Sequence, residues 1–207
     1  MLNLGTHGID ESVMVHLRSV YQDNGLEGMI GDEDKIERMI RGMVYSRNIV
    51  DAHAKIEHIM QLLSNVEFGP GKHLVDLGVC DGRVLEIGYL KGGEVSGPEK
   101  IKMHASEAYQ KFDELRRKGV KTPPNEVIAV GEDIMNYDIR RADVVWAYLM
   151  AQKQPEVVKR FYMFGKPDGK LIVYRPSLEC YKQVLQFSLT APFEGSIDDV
   201  AMIINKH

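Results

Sequence analysis

From residue 10 to residue 65 apolar positions recur at helical spacing. Val13, Leu17, Val20 and Tyr21 follow Asp10. Ile36, Met39, Ile40 and Met43 follow Asp32. Ala52, Ile56, Ile59, Met60 and Leu63 form a third series that starts near Ile49. Residues three and four apart share a helix face, and an aspartate just ahead of such a series accepts from the unpaired N–H groups of the first turn. Three helices are therefore predicted, the first two capped by Asp10 and Asp32. The glycine-rich NGLEGMIGD (24–32) separates the first two, and FGPG (68–71) closes the region.

Beyond FGPG the pattern alternates. HLVDLG (73–78) is a short apolar strand, RVLEIGYLK (83–91) a helix ended by Gly92-Gly93, and EVSGPE (94–99) a weaker strand. Ile101 to Lys118 is an amphipathic helix with Ile101, Ala105, Ala108, Phe112 and Leu115 on one face. EVIAV (126–130) and ADVVWAYLM (142–150) are strands, the latter almost continuously apolar, as a strand covered on both faces is. A helix through VVKRFYMF precedes the turn KPDG and the strand KLIVY. QVLQFSLT (183–190) and DDVAMIINK (198–206) read as two final strands joined without a long helix, an antiparallel, hairpin-like finish. Strands alternating with helices imply an α/β, Rossmann-like, doubly wound and mostly parallel seven-stranded sheet with an antiparallel C-terminal strand and an N-terminal helical extension. The predicted division is a helical lid or cap over residues 1–67 and a core over residues 68–207.

Composition narrows the function classes modestly. The chain of 207 residues is 44% hydrophobic and 27% charged, enough for a sizeable core without disulfides. Its two cysteines, Cys80 and Cys180, have neither framework nor metal spacing, which fits a reduced, cytoplasmic setting. MLNLGTHGIDES has no basic segment followed by an apolar one, so no secretory signal is expected. No apolar run approaches the roughly 20 residues of a membrane span. A net charge of −4 weighs against nonspecific nucleic-acid binding; the basic RRKGVK (116–121) reads as a solvated helix end. His53 and His58 are five apart and do not share a helix face well, and no metal site is expected.

In a doubly wound sheet, ligands bind beyond the carboxyl ends of the strands, where the strand order reverses. The first such end is VDLGVCDGR (75–83). A dinucleotide turn needs small residues at positions one, three and six; here these are Gly78, Cys80 and Arg83, a poor fit. Small residues at one, three and five give Gly78, Cys80 and Gly82, with cysteine where glycine is expected. Glu99 follows the second strand, Gly131-Glu132-Asp133-Ile134 the third, Tyr148-Leu149-Met150 end the fourth, and Tyr174-Arg175 end the fifth.

Residues 72–175 resemble the core of the class I S-adenosylmethionine (SAM)-dependent methyltransferases. VDLGVCDGR resembles that superfamily's first motif, SGPEK its second, GEDI its third, DVVWAYL its fourth, and KPDGKLIVY the segment leading into strand five. The resemblance implies SAM as cofactor. It implies that Asp76 and Gly78 lie near the methionine part, that Gly82 opens the following helix, and that Glu99 accepts from the ribose hydroxyls. Asp133 would bond the adenine amine, the Ile134 backbone would read the ring edge, and Tyr148 would line the reacting end. Cys80 departs from the pattern, and a shift of the ligand rather than its exclusion is expected there.

Each of these residues also has a purely structural role open to it: Asp76 bonding its own turn, Glu99 complementing a helix N-terminus, Asp133 capping a loop. Outside the motifs, Arg47 is a candidate for the SAM carboxylate or a substrate carboxylate. Tyr45, Tyr148 and Tyr174 are candidates to face the sulfonium, with Tyr21 and Arg175 beside them. AYLM follows strand four where base-amino and glutamine methyltransferases carry an NPPY-like tetrapeptide. The expected reaction is methyl transfer to a small molecule or protein side chain, by alignment and desolvation, with no membrane or nucleic-acid partner and a homo-oligomer compatible with the sequence. Two alternatives stay open: attack at the aminocarboxypropyl carbon, releasing methylthioadenosine, and a noncatalytic SAM-binding partner subunit.

Overall fold

A computed structural model describes residues 54–187, 193–197 and 201–206. The first two predicted helices, the start of the third, and Tyr21, Tyr45 and Arg47 lie outside these residues. The described part of the third is α1 (Ile56–Asn65), in which Ile56, Ile59, Met60 and Leu63 are buried at the spacing the sequence predicts.

From Leu62 onward the described residues belong to one compact unit. Its seven strands are β1 (His73–Leu77), β2 (Glu94–Glu99), β3 (Ile128–Val130), β4 (Val144–Ala147), β5 (Lys170–Tyr174), β6 (Phe193–Ile197) and β7 (Ala201–Asn205). They lie in the order β3-β2-β1-β4-β5-β7-β6. β1 to β5 pair in parallel, and β7 runs antiparallel to both β5 and β6. The chain steps outward from β1 to β3 and then returns to lay β4 on the other side of β1. The strand order therefore reverses between β1 and β4, which makes their carboxyl ends the switch point at which such sheets bind ligands.

The strands β1, β4 and β5 are buried almost throughout, as their near-continuous apolar runs imply. Val75, Leu77, Val145, Ala147, Leu171, Val173, Met202 and Ile204 point to one face. There they join Val157, Val158 and Phe161 of α4 (Gln154–Phe164) and Cys180 and Val184 of α5 (Leu178–Phe187). On the opposite face, α2 (Arg83–Leu90) presses against β1 and β2: a Cβ on Gly88 would stand 2.7 Å from Leu74 and 2.9 Å from Val95. The fourth interstrand helix is α3 (Lys102–Arg117).

Two expectations need correction. QVLQFSLT is not a strand: Gln183–Phe187 complete α5, and the strand that follows is Phe193–Ile197. Leu185, Phe187 and Leu189 alternate and imitate a strand, but the residues that reach the core are Cys180 and Val184, one helical turn apart, while Leu185 is 68% exposed. EVIAV is shorter than expected, because Asn125–Val127 form a 3-10 turn ahead of β3. The antiparallel finish itself is present, with a bulge in β6 between Glu194 and Ser196.

Candidate functional site

The turn after β1 takes the conformation its spacing implies. Gly78, Cys80 and Gly82 all have positive φ, at 99°, 51° and 82°. Cys80 therefore occupies the left-handed conformation that glycine favours, at a local cost of about 1–2 kcal/mol. Gly78 has room for a Cβ (3.6 Å from Leu149 Cδ2), so it is required for its backbone angles. Gly82 is required for both reasons, since its Cβ would stand 2.8 Å from the Phe112 ring on α3. The turn is pinned by Gly82 N–H donating to Val79 O (2.9 Å) and Val79 N–H donating to Pro98 O (3.3 Å).

Glu99 ties the turn to the end of β2. One carboxylate oxygen accepts from Cys80 N–H (2.8 Å) and the other from Ile101 N–H (2.8 Å); His104 Nδ1 lies 3.8 Å from the latter oxygen. Behind the turn, Asp81 accepts from the Arg83 side chain (2.8 Å to Nη2) and from Lys111 Nζ (2.7 Å). Arg83, the residue that spoils a dinucleotide turn, is thus folded back onto Asp81 and buried. Asp76 faces the other way chemically. It is 3% exposed beside Trp146 in the sheet register, and burial, then the charges of Glu99 and Asp81, hold its pKa well above the ordinary carboxylate value.

Beyond β3, Gly131 N–H donates to Glu99 O (2.7 Å), which sets the third loop beside the second. Asp133 accepts from Met135 N–H (3.0 Å) and Lys100 Nζ (2.9 Å), and these bonds lower its pKa. The Ile134 carbonyl accepts from Arg160 Nη1 (2.8 Å). At the end of β4, Tyr148 is half-buried, with its hydroxyl pKa raised by burial and opposed by the charge of Arg175. Its ring meets that of Tyr174 edge-on at 4.8 Å, and Tyr174 stacks on Trp146 at 5.7 Å. Tyr174 is fully buried. Asp76, Gly78, Cys80, Gly82 and Glu99 are thus brought together, Asp133 and Ile134 adjoin them, and Leu149 links the end of β4 to Gly78.

Two features escaped the sequence reading. One is the Asp81–Arg83–Lys111 cluster, whose signal was an acid two residues ahead of an arginine at a helix start. The other is Gln154, buried at the start of α4. Its Nε2 donates to Leu149 O (2.8 Å) and Arg175 O (3.0 Å), and its Oε1 accepts from Ser177 N–H (2.7 Å). One side chain thereby ties the loops after β4 and β5. Its only signal was a glutamine directly before a proline at a helix start. Among the described residues no group of three His, Cys, Asp or Glu side chains is placed to hold a metal ion, and no helix is long and apolar enough to cross a membrane.

The chain matches no family model and no curated protein. Its structure is similar to several solved ones. An RNA methyltransferase from Salinibacter ruber, in complex with S-adenosyl-L-homocysteine, is 15% identical, with 74% of this chain and 92% of that one covered and a TM-score of 0.55. A SAM-dependent O-methyltransferase from Thermotoga maritima is 14% identical over 79% and 69% of the two chains, with a TM-score of 0.56. A precorrin-6y C5,15-methyltransferase from Geobacter metallireducens is 12% identical over 77% and 93%, with a TM-score of 0.56. The described sheet, with its strand order and its single reversed strand β7, has the Rossmann-like fold of the class I SAM-dependent methyltransferases.

Proposed function

We propose that the chain binds SAM at the carboxyl ends of β1, β2 and β3 and transfers its methyl group to a small molecule or protein side chain. The observation that carries this reading is the turn after β1, with three left-handed residues around a buried carboxylate, Asp76, that has acidic neighbours and a raised pKa. Such a site favours a cation, and SAM carries two, its sulfonium and its ammonium. Asp76 would face that charge, Gly78 would let the backbone approach, and Glu99 would offer the remaining lone pairs of its carboxylate to the ribose. Asp133 and Ile134 would meet the adenine. Cys80 keeps the turn's backbone while adding a thiol to its surface.

Bound SAM supplies an activated methyl carbon, which the acceptor's lone pair takes as the carbon–sulfur bond breaks, leaving S-adenosylhomocysteine. The protein's part is to align the acceptor and exclude water. Tyr148, with its raised pKa, keeps its proton at neutral pH and acts as a wall and hydrogen-bond donor rather than a base. Tyr174 holds the Tyr148 ring through their edge-on contact. A cytoplasmic location and a small-molecule or protein acceptor belong to the same reading.

The test is incubation of the full chain with SAM and mass spectrometry of the nucleoside products, with calorimetry alongside. SAM binding without breakdown, followed by S-adenosylhomocysteine once an acceptor is supplied, supports the proposal. Methylthioadenosine formed from SAM alone would overturn methyl transfer. Glu99→Ala should weaken SAM binding by about 1.5–3 kcal/mol, as expected for hydrogen bonds to a charged group; an unchanged affinity removes the ribose assignment.

A further inference from the structure

Arg175 follows β5 directly, on the loop that the Gln154 side chain holds. Its backbone is left-handed, with φ at 52°, a conformation glycine adopts freely and arginine does not. The strain is enforced from outside: Gln154 Nε2 holds the Arg175 carbonyl at 3.0 Å while Gln154 Oε1 takes the N–H of Ser177 at 2.7 Å. Non-glycine residues kept in such geometry by their surroundings concentrate at functional sites.

The side chain carries the second observation. Arg175 is half-buried, yet among the described residues its guanidinium makes no ion pair and no hydrogen bond. The contrast with other arginines is direct. Arg83 is bound to Asp81, Arg116 to Asp113, Arg140 to Asp138, Arg117 to the Asp113 carbonyl, and Arg160 to the carbonyls of Ile134 and Tyr137, while Arg141, which has no such partner among the described residues, is exposed to solvent where Arg175 is not. Glu179, the acid closest in sequence, is paired with Lys182 at 2.7 Å. Arg175 and Tyr148 follow the ends of the adjacent strands β5 and β4, near enough for the arginine's charge to oppose the rise that burial gives the Tyr148 hydroxyl. The exposed Met150 and half-buried Leu149 continue the same edge of the sheet. A planar cation with five N–H donors, held on a strained loop beside a phenol and apolar side chains, is built to take an oxyanion.

We propose that Arg175 is the anion subsite of the acceptor: the acceptor is a small molecule bearing a carboxylate or phosphate, seated with that group on Arg175 and its apolar body against Tyr148, Leu149 and Met150. The proposal rests on the cofactor reading for the identity of the neighbouring ligand but not for the anion chemistry. The other source of a carboxylate here is the methionine end of SAM itself, and the experiment separates the two.

The full chain is saturated with S-adenosylhomocysteine and titrated with 4-hydroxybenzoate, phenyl phosphate and neutral 4-hydroxybenzamide. The wild type should bind at least one anion about tenfold or more tightly over the amide, as charge-assisted bidentate bonds allow. Arg175→Gly removes the cation while relieving the left-handed strain, so it should fold and yet lose the preference. Arg175→Lys should keep part of it. The affinity for S-adenosylhomocysteine should be the same in all three proteins. A preference that survives Arg175→Gly, or no preference in the wild type, overturns the proposal. A parallel loss of S-adenosylhomocysteine affinity in Arg175→Gly assigns the arginine to the cofactor and overturns it too. If the wild type fails to bind S-adenosylhomocysteine at all, the cofactor reading falls, and the same three probes titrated alone still decide the anion subsite.

Discussion

Glu86 is the least comfortable side chain in the described fold. It sits in α2 with no exposed surface, and neither carboxyl oxygen has a hydrogen-bond partner among the described residues. Burial pushes its pKa up from 4.5 to about 8, and the opposing charge of Arg116 offsets this only in part, since that guanidinium is engaged with Asp113, Asn125 and the Pro123 carbonyl. At neutral pH the folded protein therefore holds Glu86 protonated while the unfolded chain ionises it. Between pH 4.5 and about 8 the native state binds the extra proton, so stability falls as pH rises. Each unit removes about 1.4 kcal/mol, which gives roughly 3 kcal/mol by pH 7 and about 5 kcal/mol once the folded group has titrated. Glu86→Gln cannot ionise. Its amide is no better partnered, so it carries a constant penalty, but the slope due to this residue disappears. Urea unfolding of both proteins at pH 5, 6, 7, 8 and 9 measures the difference. The variant should gain on the wild type by about 1 kcal/mol or more per unit up to pH 8 and hold a fixed lead above it. Two curves that stay parallel across the whole range would refute a neutral Glu86.

How much of this was legible depended on how local the cause was. The strands β1, β4 and β5 could be read because burial on both faces leaves an apolar run, and α3 because Ala105, Ala108, Phe112 and Leu115 repeat at helical spacing. α5 was misread because its short amphipathic pattern fits either period, and what decides is which residues meet Val157, Val158 and Phe161 on α4, far away in sequence. The positions of the turn, and the left-handed backbone at Cys80, were visible in the spacing of Gly78, Cys80 and Gly82; the bond from Cys80 N–H to Glu99 was not, because it joins residues 19 apart on two different strand ends. The Gln154 clamp spans 21 and 23 residues to reach Arg175 and Ser177, and no pattern near residue 154 announces it. Glu86 stood in plain view between Leu85 and Ile87. Its burial arises because α2 is covered around most of its circumference, from Arg83 to Gly88, and a single helix face cannot show that.

Three further outcomes test the site's physics. Cys80→Gly should leave stability unchanged or raise it by up to about 1 kcal/mol, the left-handed strain relieved less the entropy glycine loses on folding; a clear loss in urea titration would mean the thiol's own contacts outweigh the strain. Gly82→Ala should cost about 2 kcal/mol or more in the same assay, because the new Cβ meets the fully buried Phe112 ring at 2.8 Å in a left-handed backbone; an unchanged midpoint would show that α3 can move aside. Asp76 makes cofactor affinity depend on pH. In the free protein its pKa is raised by burial and by Glu99 and Asp81, and a bound cation stabilises the carboxylate and lowers it. SAM therefore binds with release of a proton wherever the free protein still holds one. Affinity should rise with pH up to the raised pKa, by up to about tenfold per unit, and then level off. In Asp76→Asn the affinity should be weaker at high pH and nearly flat across the same range. Calorimetry in buffers of different ionisation enthalpy counts the proton directly. Wild-type binding without proton release, or a variant with the wild-type profile, would place the cation somewhere other than on Asp76.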